Sequence, residues 1–246
     1  MLAYHGIADV RPRDDPYGLF IRPRDLRDHI RRLRNWGYRL MTFGELAGRV
    51  GAGEASGCAA LTFDDGLADN LETMLPLVRS EGATATVFVV SDWLGKHHPE
   101  HPAAAILAEE GVRELHGAGV EIGSHTVRHA DLTALSYNDA RRELADSRRS
   151  LESVIDAPVT VAAYPWGLAN DDTRRACAAA GYAAACRNAG EGAWDDPFDI
   201  PRQDVRSDDV KLSLWLKRDD RYEPLMRRTA ARAARRLVRE ARRLTR

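Results

Sequence analysis

The sequence predicts an α/β protein, a closed or nearly closed parallel barrel of about seven strand-then-helix units. Three observations carry this. Short apolar runs alternate with helix-like segments from the first residues onward. The runs are apolar on both faces, as parallel strands covered by helices require. A chain of 246 residues with 44% hydrophobic content is also the size of one barrel with a full core. An open doubly wound sheet is the alternative, but no G-x-G-x-x-G turn follows the first strand to suggest a dinucleotide.

The elements follow in order. "LAYHGI" reads as a strand. Arg22 to Trp36 reads as a helix, with Pro23 in its first turn, Leu26, Ile30 and Leu33 on one face, and Gly37 as its stop. "YRLMTF" is the next strand, and Thr42 with Glu45 has the spacing of a capping box for a short helix. "CAALTF" is a strand, Leu67 to Ser80 a helix and "ATATVFVV" a strand. Val112 to His116 is a helical stretch closed by "GAG". "VEIG" is a strand, and Ser136 with Asp139 caps the longest helix, which runs to about Ile155. "VTVAAYP" is a strand, "NDDTRRACAAAG" a helix, and "YAAACR" and "IPRQDV" are further strands. The barrel is assigned to residues 1–220, and residues 221–246 to a basic C-terminal helix that is not a separate domain.

Net charge is −1 with 30% charged residues, which excludes a disordered chain and a chain basic throughout. The average conceals an asymmetry: Arg227 to Arg246 hold nine arginines against Glu240 alone, leaving the remainder acidic. That acidic remainder disfavours a nucleic-acid partner. The tail reads as a basic amphipathic helix whose apolar face is mostly alanine, suited at most to weak contact with an anionic membrane surface and equally to packing on the barrel. Cys58, Cys177 and Cys186 have no paired-ligand spacing, so neither a disulfide framework nor a cysteine zinc site is indicated. With no signal-like N-terminus and no long apolar run, the expected location is cytoplasmic, peripheral to the inner membrane face if the tail engages it.

In a parallel barrel the chemistry gathers where strands end. His5 follows "LAY", Asp64 and Asp65 follow "LTF", His125 and His129 follow "VEIGS", and Tyr164 and Trp166 follow "VTVAA". Burying adjacent carboxylates costs several kcal/mol unless a cation compensates. The spacing of His125 and His129 brings two imidazoles to one side of a helical turn. Two imidazoles and a carboxylate make a three-ligand site that leaves a place for water. An isolated H-x-x-x-H is more often a surface pair, but one following a strand, beside a strand ended by a double aspartate, favours the metal. His97, His98 and His101 lie in "GKHHPEHP", which reads as a solvated loop on the same rim rather than a second metal site.

"TFDDG" and "HTVRH" resemble the first two signature motifs of the polysaccharide deacetylase family, the NodB-homology or carbohydrate esterase family 4 group, and "AAYPWG" resembles the third. The likeness covers about residues 1–206. It implies a distorted (β/α)7 barrel and one divalent metal, zinc in most members with cobalt, nickel or iron in others. Carried over, Asp65, His125 and His129 hold the metal, Asp64 is the general base, and the Trp166 backbone amide, with Tyr164 beside it, serves the oxyanion and substrate. The family's motif-three arginine is replaced here by Ala163, and Arg202 in "IPRQDV" is the candidate substitute. The late L-x-H histidine is also missing, since no histidine follows His129. "AYHG" resembles a subgroup that opens with Tyr-His, which makes His5 the general acid. The plainer readings are a satisfied histidine for His5, a ligand-orienting carboxylate for Asp64 and rim packing for the Trp166 ring.

The implied activity is metal-dependent removal of the N-acetyl group from an amino sugar: a polysaccharide precursor, a lipid- or nucleotide-linked sugar, or a glycosylated natural product. The alternatives are deformylation or another non-peptide C–N amide hydrolysis on the same fold, or a non-catalytic barrel that binds carbohydrate or serves as a scaffold.

Overall fold

A computed structural model describes residues 1–102, 104–188, 192–207 and 209. The chain alternates strands and helices: β1 (Leu2–Tyr4), α1 (Pro23–Asn35), β2 (Arg39–Met41), α2 (Phe43–Gly51), β3 (Cys58–Phe63), α3 (Leu75–Ser80), β4 (Thr86–Val89) and α4 (Glu109–Gly117). Then come β5 (Glu121–Ser124), α5 (Tyr137–Ile155), β6 (Val161–Ala163), α6 (Asp171–Ala179), β7 (Ala184–Arg187), β8 (Ile200–Pro201) and β9 (Gln203–Asp204). Every strand pairing is parallel. The helix starts follow local chemistry: the Thr42/Glu45 capping box opens α2, and the Ser136 side chain accepts from the Asp139 amide at the start of α5.

The sheet runs β8-β7-β6-β5-β4-β3-β1-β9, with β2 beside the lower half of β3. Its two end strands are separated in sequence only by Arg202, so the segment 200–204 steps from β7 across to β1 and closes the ring. Arg202 donates its amide to the Arg187 carbonyl and Gln203 donates to Met1. "IPRQDV" is therefore two short pairings that face different neighbours, not the single strand expected. The result is a nearly closed, distorted (β/α)7 barrel.

The expected helix over Leu67–Ser80 is also revised: a wide π turn, Asn70–Met74, precedes α3. Pro76 has no amide to give and would crowd the carbonyl four residues back, and the wider turn relieves both. The main core lies between sheet and helices, where Leu26, Ile30 and Leu33 of α1 are buried. Each is worth roughly 1.5–3 kcal/mol of burial. Inside the ring, Phe43 at the head of α2 meets the Phe88 ring at 5.8 Å and plugs the lower end of the barrel.

Cys58, Cys177 and Cys186 are all free. No helix among the described residues is long and apolar enough to cross a membrane. The C-terminal helix expected over 221–246 lies outside the described residues.

Candidate active site

Strand register sets the site. Tyr4 pairs with Phe63, so His5 and Asp64 leave adjacent strands side by side, and the Asp64 amide bonds the Tyr4 carbonyl at 2.9 Å. His125 follows the end of β5 in the same way, with its amide on the Val89 carbonyl at 2.9 Å. His5, Asp64, Asp65, His125, His129 and Trp166 all face one cavity of about 290 Å³ at the mouth of the barrel.

Asp64 is buried, and Arg202 grips it with its two terminal guanidinium nitrogens at 2.7 Å while Nη1 also bonds Thr62 Oγ1 at 2.9 Å. Thr62 and Asp64 share one face of the strand, which is why a single guanidinium reaches both. Burial pushes the Asp64 carboxyl up, but Arg202 foremost, with His125 and His5, brings it below the usual carboxylate range. Arg202 is itself wholly buried beneath Asp64, with its guanidinium 5.2 Å from the Phe88 ring centre. It thus stands behind the carboxylate, where the candidate substitute for the arginine missing at Ala163 meets Asp64 from beneath, and it is not a wall of the cavity where substrate would be touched.

Asp65 takes a left-handed backbone, φ 71°, a conformation aspartate tolerates better than most residues. The turn swings its carboxylate away from Asp64 and toward the imidazoles. Asp65 Oδ1 lies 3.7 Å from both His125 Nε2 and His129 Nε2, and this buried oxygen has no hydrogen-bond partner. His125 Nδ1 meets the Ala163 carbonyl at 2.8 Å, so Nδ1 carries the proton and Nε2 offers its lone pair. Burial, with the neighbouring His125, pushes His129 down to about 4, which keeps the His129 ring neutral. Asp65 is held in the opposite sense: burial pushes it up, but His98, His5 and the two facing imidazoles keep it well below the usual range. An orphaned carboxylate oxygen between two imidazole nitrogens is the donor set a divalent cation takes, and it is the single such cluster among the described residues.

The HTVRH turn is pinned from α5. Buried Glu143 accepts the Val127 and Arg128 amides at 3.1 and 3.2 Å, and Arg128 Nε at 2.8 Å. Trp166, φ 53°, sets its exposed ring edge-on to His129 with centroids 4.5 Å apart. Tyr164 differs from expectation: its side chain is fully buried in the core, with the hydroxyl donating to the Phe198 carbonyl at 2.9 Å, and it is not a wall of the cavity.

The loop after β4 holds what sequence reasoning missed. His98 and His101 are buried rather than solvated, and His98 Nε2 lies 3.4 Å from Asp65 Oδ2; only His97 is exposed. The signal was topological: β4 pairs with both β3 and β5, so its loop emerges between the two motifs.

Fold and site together define a parallel-barrel protein with a carboxylate and imidazole centre at the strand ends. The chain belongs to the polysaccharide deacetylase family, whose family model matches residues 52–185. It is 29% identical over 185 residues to the provisionally named polysaccharide deacetylase YxkH of Bacillus subtilis (strain 168), covering 74% of this chain and 61% of that one. It is 28% identical over 151 residues to a chitooligosaccharide deacetylase of Sinorhizobium fredii, covering 61% of this chain and 64% of that one. The chain thus spans under two thirds of the length of these relatives. Among solved structures, the Streptococcus pyogenes deacetylase PplD in complex with acetate superposes with a TM-score of 0.75 at 25% identity, over 88% of this chain and 96% of that one. The polysaccharide deacetylase BC0361 of Bacillus cereus shares the fold, with a TM-score of 0.71 at 21% identity, over 89% of this chain and 67% of that one.

Proposed function

We propose that this protein removes the N-acetyl group of an amino sugar, with one divalent cation, zinc by preference, held by Asp65, His125 and His129. The observation that carries the reading is the pairing of a bare Asp65 oxygen between two imidazole lone pairs with a separate carboxylate, Asp64, clamped by Arg202. Family membership and the name of the chitooligosaccharide relative support an amino-sugar substrate. So do the half-exposed rings of Tyr17 and Trp166 on the cavity walls, which offer flat amphipathic faces to a pyranose.

Such a cation lowers the pKa of water and polarises the amide carbonyl. The remaining work falls to the chain. Asp64, kept ionised and aimed by Arg202, accepts a proton from the attacking water, a role worth roughly 10²- to 10⁴-fold. The Trp166 amide donates to the carbonyl oxygen as negative charge develops. His5, which leaves the strand beside Asp64 and lines the same cavity, donates a proton to the departing amine. Its placement is fixed through its own carbonyl, which accepts Asn70 Nδ2 at 3.0 Å.

The test is a release assay for acetate and formate on soluble and lipid-linked N-acylated amino sugars, with and without chelator. Acetate release that chelator abolishes and added metal restores is the expected result. Release of formate alone would move the activity to deformylation, and no release from any member of the panel by a metal-loaded protein would overturn the reading.

A further inference from the structure

We propose that His98 is a positioning residue that fixes which oxygen Asp65 presents to a cation, and that it is not itself a ligand. The proposal rests on the reading of Asp65, His125 and His129 as the metal-holding set.

The ring's tautomer is set by the backbone. His98 Nδ1 receives the Glu100 amide at 3.1 Å and the His101 amide at 3.2 Å, so this nitrogen is an acceptor and bears no proton. The ring proton therefore sits on Nε2, the atom 3.4 Å from Asp65 Oδ2. A nitrogen that carries a proton has no lone pair for a metal, which removes His98 from the ligand set although it is the third imidazole around this carboxylate. Donation to Oδ2 leaves Oδ1, the oxygen between His125 and His129, as the one free to bind. The geometry points to one-oxygen binding by Asp65.

The loop that carries His98 is built to hold this register. Ser91 and Asp92 donate their amides to the carbonyls of Thr126 and Val127 in the HTVRH turn, while Leu107 donates to Gly66 just past Asp65. The His98 ring is buried, with Trp93 edge-on at 4.9 Å. One loop thus ties the carboxylate-bearing turn to the imidazole-bearing turn, with His98 at the junction. Groups that orient metal ligands are worth about 10- to 100-fold in metal affinity.

The experiment is a Co²⁺ titration of the full chain against a chelating dye, with the d–d spectrum recorded at saturation, for the unaltered protein, His98→Ala and His98→Gln. Expected are a 10- to 100-fold weaker affinity in His98→Ala with an unchanged spectrum, since the ligands are the same, and partial recovery in His98→Gln, whose amide can still donate. Nitrogen-15 spectra of the metal-free protein supply a readout independent of metal and of folding losses in the variants: Nδ1 should resonate as an unprotonated nitrogen and Nε2 as a protonated one. The opposite tautomer overturns the proposal, as does a changed ligand-field spectrum in His98→Ala. Equal affinity in the unaltered chain and His98→Ala overturns this proposal alone, whereas failure of the unaltered chain to bind Co²⁺ overturns the ligand reading and this proposal with it.

Discussion

Arg202 meets Asp64 through two parallel hydrogen bonds of 2.7 Å, joining residues 138 apart in the chain, the arginine wholly buried and the carboxylate buried but for the side that faces the cavity. The arginine sits at the step where the chain passes from one end of the sheet to the other, so closing the barrel and orienting the proposed base are one structural event. Breaking a buried pair by removing one partner costs about 3–5 kcal/mol, because the surviving charge is left buried and uncompensated.

Arg202→Met should therefore lower stability by about that amount and change its pH dependence. In the native protein the Asp64 carboxyl is depressed, so its stabilising contribution is present above the unfolded value near 3.9 and is lost as pH falls below it. In the variant only His125 and His5 still oppose burial, so the carboxyl rises, and once it stands above its unfolded value stability declines as pH rises past about 4. The acid limb of the kcat/KM profile should move to higher pH for the same reason. Arg202→Lys keeps the charge but loses the fork, and should keep most of the stability while losing about 10- to 100-fold in kcat/KM. Urea melts across pH and the pH–rate profiles check both.

Metal addition should raise the melting temperature. A ligand at 100 times its Kd stabilises by about 2.7 kcal/mol, or about 5–10 °C for a chain of this size. Asp65→Asn keeps the shape but surrenders the anionic oxygen between the imidazoles, so the metal-induced rise should disappear. Asp64→Asn should retain the rise and lose turnover by about 10²- to 10⁴-fold. Scanning calorimetry with and without Zn²⁺, beside the acetate assay, separates the two carboxylates.

How much of this was legible in the sequence differs from residue to residue, for physical reasons. Local chemistry was readable: Ser136 caps α5 and Thr42 caps α2 at the expected positions, because a cap acts within one turn. The convergence of His5, Asp64, Asp65, His125 and His129 was readable too, because parallel strands end on one rim. Arg202 was identifiable as a candidate, but its depth was not, since "IPRQDV" gives no sign that two half-strands face opposite neighbours. Tyr164 and His98 were misplaced in opposite directions, one buried in the core and one buried at the site. Side-chain direction at a loop's start and the path of a Pro-rich loop are both set by tertiary contacts: the Phe198 carbonyl for Tyr164, and the amides of Glu100 and His101 for His98.

His5→Gln should separate substrates by leaving group. An amine departs only when its nitrogen is protonated, whereas an aryl acetate releases a stabilised phenolate that needs no proton. The variant should lose about 10²-fold or more on an N-acetylated amino sugar and keep most of its rate on 4-nitrophenyl acetate. Parallel losses on both would place His5 in binding or folding instead of proton transfer.

Gly167 tests whether the motif-three turn is held by backbone geometry. Trp166 and Gly167 are consecutive left-handed residues, φ 53° and 71°, and a Cβ on Gly167 would overlap the backbone nitrogen of Asn188 at the end of β7. Gly167→Ala combines a left-handed penalty of about 1–2 kcal/mol with that overlap, which yields only if the turn shifts. The shift would carry Trp166 off His129 and move the amide proposed for the oxyanion, so kcat should fall more than stability alone explains. Gly37 is the matched control: its φ is 84°, but an added Cβ there meets nothing within 4 Å. Gly37→Ala should cost only the backbone term of about 1–2 kcal/mol, with kcat unchanged. Equal effects of the two substitutions on kcat, measured well below both melting temperatures, would show that the Trp166 turn has no part in catalysis.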